Sequence, residues 1–230
     1  MIRAVIFDLD GTLVDTEPLH FAAFSKVMGE LEVRVAEADY WDRWVGYSDR
    51  DCFLAMLKEH GLEVDPVLVQ TLIARKAIEY QAMIAGRDLL YSGAADFVRR
   101  CAERFPLMLA TGTLRQEAES ILRSAGLREL FVDIIAAEDV ERGKPAPDAF
   151  TAALGRLGFM LRERDAIRPA QCLAVEDTLA GIEAASSAGM KVLAVGHTSD
   201  LAALTAADLV RPSLVETDLD DVLRRLARPS

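Results

Sequence analysis

The sequence predicts an α/β fold: a doubly wound, Rossmann-like parallel sheet with an all-helical cap domain inserted into it. Two observations predict this. Short, wholly apolar runs recur at Val5–Phe7, Leu107–Ala110, Cys172–Val175 and Val192–Val195, each followed by a helical pattern. Runs of this kind suit strands buried on both faces of a parallel sheet, and their alternation with helices suits right-handed crossovers. The second observation is that no convincing strand interrupts residues 16–87. An all-helical block inside an α/β chain reads as an insertion. The expected division is a core of residues 1–15 and 88–230, and a helical cap of residues 16–87.

In chain order, the first strand is Val5-Ile6-Phe7, preceded by Ile2 and Ala4. Pro18 suits a first helical turn, and Leu19, Phe24, Val27, Met28 and Leu31 then recur near helical spacing. Ala38–Val45 reads as a short second helix, which Gly46-Tyr47-Ser48-Asp49 breaks. Asp51–His60 is a third, stopped by Gly61, and Pro66–Ile84 a fourth, closed by Gly86. From Leu89 the alternation resumes with a helix over Gly93–Phe105, the strand Leu107–Ala110, and a helix over Gln116–Ala125. Ile134-Ile135 forms a weak strand, and Pro147–Leu157 a helix. The strand Cys172–Val175, the helix Leu179–Ala188 and the strand Val192–Val195 follow. A short strand at Asp208–Val210 and a helix over Leu219–Ala227 end the pattern.

Composition narrows the function. A net charge of −11 opposes binding to nucleic acid, whose phosphates would be repelled. A small phosphorylated metabolite is still compatible, because a metal and a few cations can reverse the local field. Cys52, Cys101 and Cys172 are odd in number and show no C-x-x-C spacing, so reduced thiols in a cytoplasmic protein are expected. No leader-like segment opens the sequence and no run of 18 apolar residues occurs, so no membrane association is expected. A monomer is expected.

The chemistry gathers where strands end. Asp8 and Asp10 follow the first strand two residues apart, so in extended chain they face one side. Gly11 frees the backbone to turn, and Thr12 adds a hydroxyl. Two adjacent carboxylates repel, which asks for a cation, a shared proton, or both. Thr111 and Gly112, with Thr113, follow the second strand, where a hydroxyl and free N–H groups suit a phosphate oxygen. Lys144 lies in Gly143-Lys144-Pro145-Ala146-Pro147-Asp148. Pro145 biases the lysine backbone toward extended geometry, so the side chain leaves from a stiff loop. This is no Walker loop: no Gly stands five residues before Gly143, and no Ser or Thr follows Lys144. Glu176-Asp177 ends the strand at Cys172–Val175. A helix N-cap accounts for one of these carboxylates, but not for both.

These four stretches resemble, in order, the four motifs of the haloacid dehalogenase (HAD) superfamily: Asp8-Leu9-Asp10-Gly11-Thr12, Thr111, Gly-Lys-Pro-x-Pro-Asp at 143–148, and Glu-Asp-Thr-x-x-Gly-Ile at 176–182. The helical insertion resembles the cap of the subgroup that contains β-phosphoglucomutases and sugar-phosphate phosphatases. The resemblance implies a Mg²⁺-dependent enzyme working through an aspartyl phosphate. Asp8 would be the nucleophile and Asp10 the general acid and base. Thr111 and Lys144 would hold the phosphoryl oxygens. Mg²⁺ would sit among Asp8, the backbone carbonyl of Asp10, and Asp177, with Glu176 bound directly or through water. Charge counting then asks for a raised Asp10 pKa and a fall of activity at alkaline pH.

Dehalogenases and phosphonate hydrolases of this fold lack the second aspartate, which leaves a phosphatase or a mutase. Thr16, His20 and Lys76 resemble the mutase pattern. The mutases, however, grip a second phosphate with Gly-x-Ser-Arg in a cap loop and Ser-Lys-Asn after the second motif. Here the loop is Gly46-Tyr47-Ser48-Asp49, with Arg50 one place late, and the core loop is Thr113-Leu114-Arg115. Asp49 would repel a dianion, while Arg115 could partly replace the missing lysine. The favoured expectation is a phosphatase of a small phosphorylated sugar or polyol, with substrate selection by Tyr47, Asp49, Arg50 and Lys76. The alternative is a β-phosphoglucomutase-type mutase. A phospho-accepting receiver is less favoured, because it would be about half this length and would lack the insertion.

Overall fold

The computed structural model describes residues 1–161 and 167–227. The expected core also spans 162–166 and 228–230, which lie outside the described residues. Six parallel strands form one sheet: β1 (Ala4–Phe7), β2 (Leu107–Ala110), β3 (Phe131–Ile135), β4 (Cys172–Glu176), β5 (Lys191–Val195) and β6 (Leu209–Arg211), in spatial order β3-β2-β1-β4-β5-β6. β1 lies between β2 and β4, with Val5 opposite both Leu107 and Leu173. The chain builds outward on one side of β1 and then on the other, so the topological switch falls at β1. Ligands of open parallel sheets bind beside the carboxyl ends at such a point.

Alternation along β1 divides the core. Val5 and Phe7 face a cluster shared with α5 (Ala94–Ala102), α6 (Arg115–Ser124) and α9 (Leu219–Leu226). Ala4 and Ile6 face a second cluster with α7 (Asp148–Leu161) and α8 (Leu179–Ser187). Both faces of the sheet are therefore covered, which is why its strands carry unbroken apolar runs.

The inserted helices are α1 (Glu17–Gly29), α2 (Glu37–Arg43), α3 (Asp49–Glu59) and α4 (Pro66–Ile84). They bury a core of their own around Phe24, Met28, Tyr40, Phe53, Met56 and Leu72. Asp65 caps α4, accepting from Val67 N at 3.1 Å and Leu68 N at 3.3 Å, with Pro66 in the first turn. The two chain crossings into this block run side by side: Asp15 N donates to Leu89 O at 2.8 Å, and Tyr91 N to Leu13 O at 3.0 Å.

Several element ends differ from expectation, among them those of α2, α5, α6 and β6 by one to three residues; three further differences have a local reading. α3 begins at Asp49 rather than Asp51, because Ser48 accepts from Asp51 N at 3.2 Å and caps the helix there. β3 has five residues rather than two; Asp133 interrupts its apolar pattern. α7 runs on to Leu161, through Gly158. Among the described residues, no helix is long and apolar enough to cross a membrane.

Candidate active site

Asp8 stands one residue beyond β1, pinned by its N–H to Val175 O at 3.0 Å. Lys144 Nζ reaches across to donate both to Asp8 Oδ1 and to Glu176 Oε1, the latter at 2.6 Å, and all three side chains are buried. The loop that carries this lysine contains a cis Lys144–Pro145 peptide. Glu176 Oε2 accepts from the N–H groups of Asp177 at 3.0 Å and Thr178 at 3.3 Å, and from the Thr178 hydroxyl at 3.2 Å. Asp177 accepts from Thr12 Oγ1 at 2.7 Å and from the Thr198 hydroxyl.

Two glycines make this crowding possible. Gly11 has φ +76°, and a Cβ there would lie 2.1 Å from Asp177 Oδ2. A Cβ on Gly181 would fall 1.9–2.1 Å from the Glu176 carboxylate atoms. Either methyl group would push a carboxylate out of place.

Asp8, Glu176 and Asp177 each offer a carboxylate oxygen within 4.8 Å of the others. Burial pushes Asp8 well above the usual carboxylate pKa; Lys144 opposes the rise, while Glu176 and Asp10 add to it. Burial likewise raises Asp177, with Glu176 and Asp8 contributing and the Thr198 and Thr12 hydrogen bonds offsetting part. Three carboxylates against one ammonium are short of positive charge. The donors are all oxygen, so the cluster fits a hard divalent cation such as Mg²⁺.

Asp10 faces a different set of partners. Its Oδ1 accepts from Thr16 Oγ1 at 2.6 Å and lies 3.1 Å from His20 Nε2; its Oδ2 accepts from the Thr113 hydroxyl and lies 3.5 Å from Thr111 Oγ1. The Asp10 side chain therefore stays outside the acidic cluster, leaving its backbone carbonyl for any metal contact. The expected rise in the Asp10 pKa is overturned. Burial does act to raise it, but the charge and hydrogen bond of His20, with those of Thr113 and Thr16, hold it well below the usual range. Charge counting at the cluster overlooked these donors.

His20 continues the chain. Its Nδ1 lies 2.7 Å from Lys76 Nζ, which also donates to Asp49 Oδ1 at 2.7 Å. When the ring is neutral and the ammonium donates into Nδ1, the ring hydrogen sits on Nε2 and is donated to Asp10; a protonated ring donates from Nε2 as well. Burial and Lys76 act to lower the His20 pKa, while Asp10 raises it and prevails. Tyr80 stacks on the imidazole at 4.2 Å and fixes its plane. Lys76 is wholly buried.

A chamber of about 30 Å³ joins Asp8, Asp10, Thr111, Gly112, Thr113 and Lys144 from the core with His20, Gly46, Tyr47 and Asp49 from the inserted block. The Gly46–Ser48 loop closes over it: the Cβ position of Gly112 lies 3.6 Å from Ser48 Cα. Thr111 Oγ1 accepts from Thr113 N at 3.1 Å and so shapes its own loop.

Two expected residues are elsewhere. Arg115 is committed to Asp139 at 2.5 Å and Ile134 O at 2.7 Å, which removes it as a substitute for the missing lysine. Arg50 lines an outer cavity and donates to Glu141 O at 3.4 Å. Asp49 is not a free charge, because Lys76 pairs with it. Sequence reasoning missed Glu17 and Tyr40, which line the chamber and share a 2.7 Å hydrogen bond. It also missed Thr198, whose only signal was its place just after β5.

The chain is similar to several known proteins. A fructose-1-phosphate phosphatase, YqaB, of Escherichia coli is 31% identical over 196 residues, covering 83% of this chain and 95% of that protein. A β-phosphoglucomutase of Bacillus subtilis is 31% identical over 214 residues, covering 91% and 88%. The crystal structure of a β-phosphoglucomutase from Clostridium difficile shares the fold with a TM-score of 0.86 at 22% identity, covering 98% of this chain and 97% of that one. Residues 2–189 match the profile of the haloacid dehalogenase-like hydrolases, and the chain belongs to that family of enzymes.

Proposed function

We propose that this chain is a Mg²⁺-dependent phosphatase of a small phosphorylated sugar or polyol, acting through a phosphorylated Asp8, with residues 16–87 serving as its cap. The observation that carries the reading is the pairing of two unlike carboxylates at the end of β1. Asp8 is held on buried Lys144, and Asp10 on His20. One is placed as nucleophile, the other as a proton carrier.

In this reading Asp8 Oδ attacks phosphorus and the ester oxygen leaves as an alcohol, taking through Asp10 the extra proton that the Asp10–His20 pair carries when His20 is protonated. Asp10 then takes a proton from water, which attacks the aspartyl phosphate; inorganic phosphate leaves and Asp8 is restored. Lys144, the Thr111 hydroxyl and the Gly112 N–H would hold the phosphoryl oxygens, the Thr111 and Thr113 N–H groups being engaged by Ile135 O and Thr111 Oγ1. Asp8, Asp177 and the Asp10 carbonyl would hold the metal, with Glu176 beside them, its own oxygens engaged by Lys144 and the Asp177–Thr178 loop. Bound there, Mg²⁺ would neutralise phosphoryl charge. The three cysteines are free and buried, which supports a cytoplasmic location and no disulfide. A monomer is sufficient, since one chain supplies every group named.

A mutase reading is favoured by the Asp10–His20–Lys76 chain and by the mutase among the relatives. Against it stand Asp49, Leu114 and the committed Arg115, which leave Arg50, on the wall of the outer cavity beside Glu141, as the cation a second phosphate would have to use. One assay separates the two. The protein is incubated with Mg²⁺, sugar phosphates and a bisphosphate primer, and both free phosphate and isomerised sugar phosphate are measured. Phosphate release without isomerisation, falling at least about 10³-fold in Asp8→Asn, is expected. Isomerisation with little free phosphate would establish the mutase instead.

A further inference from the structure

Lys144 pairs with Asp8 and with Glu176, but among the described residues no cationic side chain pairs with Asp177. Asp177 is nevertheless 1% exposed and lies beside both of those carboxylates. Buried like charges repel, and an unheld aspartate would turn away from the cluster. Two hydroxyls hold this one. Thr12 Oγ1 donates to its Oδ1 at 2.7 Å, and the Thr198 hydroxyl donates to its Oδ2. Each oxygen keeps a second lone pair, so neither hydrogen bond removes the carboxylate as a metal ligand.

The two threonines come from different parts of the chain. Thr12 belongs to the turn that carries Asp8 and Asp10, whereas Thr198 stands in the loop between β5 and β6. That loop is fixed on both sides. Gly196 N donates to Arg211 O, in β6, at 3.0 Å. His197 Nδ1 donates to Gly11 O at 3.1 Å, and its ring lies 4.0 Å from that of Tyr91. The Thr198 methyl group packs on Gly11, whose Cβ position is 2.7 Å from Thr198 Cγ2. Packing on Gly11 needs only the methyl group. The hydroxyl is free to do something else, and it meets the one carboxylate of the cluster that lacks an ammonium.

We infer that Thr198 is a positioning residue of the metal site: its hydroxyl holds the Asp177 carboxylate toward Asp8 and Glu176, and so raises the affinity for Mg²⁺. The inference rests on the metal site of the phosphatase reading above, and extends that site to the end of β5, a strand that supplies none of the ligands. A hydrogen bond that orients a ligating carboxylate sets affinity through geometry, and losing one weakens metal binding by roughly 10- to 100-fold.

The test follows melting temperature against Mg²⁺ concentration, starting from the full chain freed of metal, and derives a Kd for each protein. Thr198→Val keeps the methyl group and loses the hydroxyl; Thr198→Ser does the reverse. The valine variant should bind Mg²⁺ about tenfold more weakly or worse, and the serine variant should stay within about threefold of the wild type. The melting temperatures without metal show whether each variant is folded. A valine variant that binds Mg²⁺ like the wild type would overturn the inference. So would a serine variant as weak as the valine one, since the methyl group on Gly11 would then carry the effect. A wild type whose melting temperature ignores Mg²⁺ would overturn it together with the metal site. The titration involves no turnover, so a wild type that binds Mg²⁺ but hydrolyses no ester would end the phosphatase reading and leave the role of Thr198 in place.

Discussion

Glu117, in the first turn of α6, is buried with neither carboxylate oxygen hydrogen-bonded. Burial raises its pKa to about 7, although Lys76 opposes the rise. A carboxyl whose folded pKa exceeds its unfolded one adds stability below the unfolded value, near 4.5, and that stability is lost as pH rises to about 7. Glu117→Gln removes the titration. The melting temperature of the wild type should therefore fall more between pH 5 and pH 8 than that of the variant, by a margin corresponding to roughly 3 kcal/mol at most. Equal changes in the two proteins would refute this. Nothing in the sequence marks Glu117, because a glutamate in a first helical turn reads as a partner for the helix dipole. Its orphaned state arises only when α4, some forty positions earlier, closes over α6. Asp8, Lys144, Glu176 and Asp177 were legible for the opposite reason. Strand ends in a parallel sheet converge by topology, so a polar residue after an apolar run declares its place. The Asp10 pKa was misread because its donors Thr16, His20 and Thr113 come from two separate segments.

At the scale of elements, the cap of α3 sets the position of Asp49. Ser48 accepts from Asp51 N at 3.2 Å and donates to Asp51 Oδ2 at 2.7 Å, which makes Asp49 the first helical residue. Ser48→Ala should cost about 1 kcal/mol of stability, measured by denaturant unfolding. It should also raise KM for a sugar phosphate more than it lowers kcat, because the chemistry at Asp8 is untouched. A loss confined to kcat would contradict that placement. The start of α3 was hard to read because Gly46 and Ser48 both signal a break, and only the side-chain cap decides which residue begins the helix. β3 was equally obscure: a strand at the sheet edge tolerates Asp133, and its pattern is weak.

For the molecule as a whole, alternation revealed the layers but not the strand order. β3-β2-β1-β4-β5-β6 depends on which side of β1 each crossover returns, and no local pattern encodes that. The buried acidic cluster gives a global readout. Mg²⁺ at about 100 times its Kd should stabilise the fold by about 2.7 kcal/mol, a rise in melting temperature of roughly 5–10 °C. Asp177→Asn should abolish most of that rise, whereas an unchanged shift would remove Asp177 from the metal site. The inner chamber has a further consequence. The Gly46–Ser48 loop narrows this chamber, with Ser48 Cα 3.6 Å from the Cβ position of Gly112. If the loop lifts to admit an ester, each catalytic cycle contains an opening event, and the opening frequency sets a ceiling on turnover. Where that ceiling governs, the rate falls as solvent viscosity rises and becomes indifferent to the leaving group's acidity.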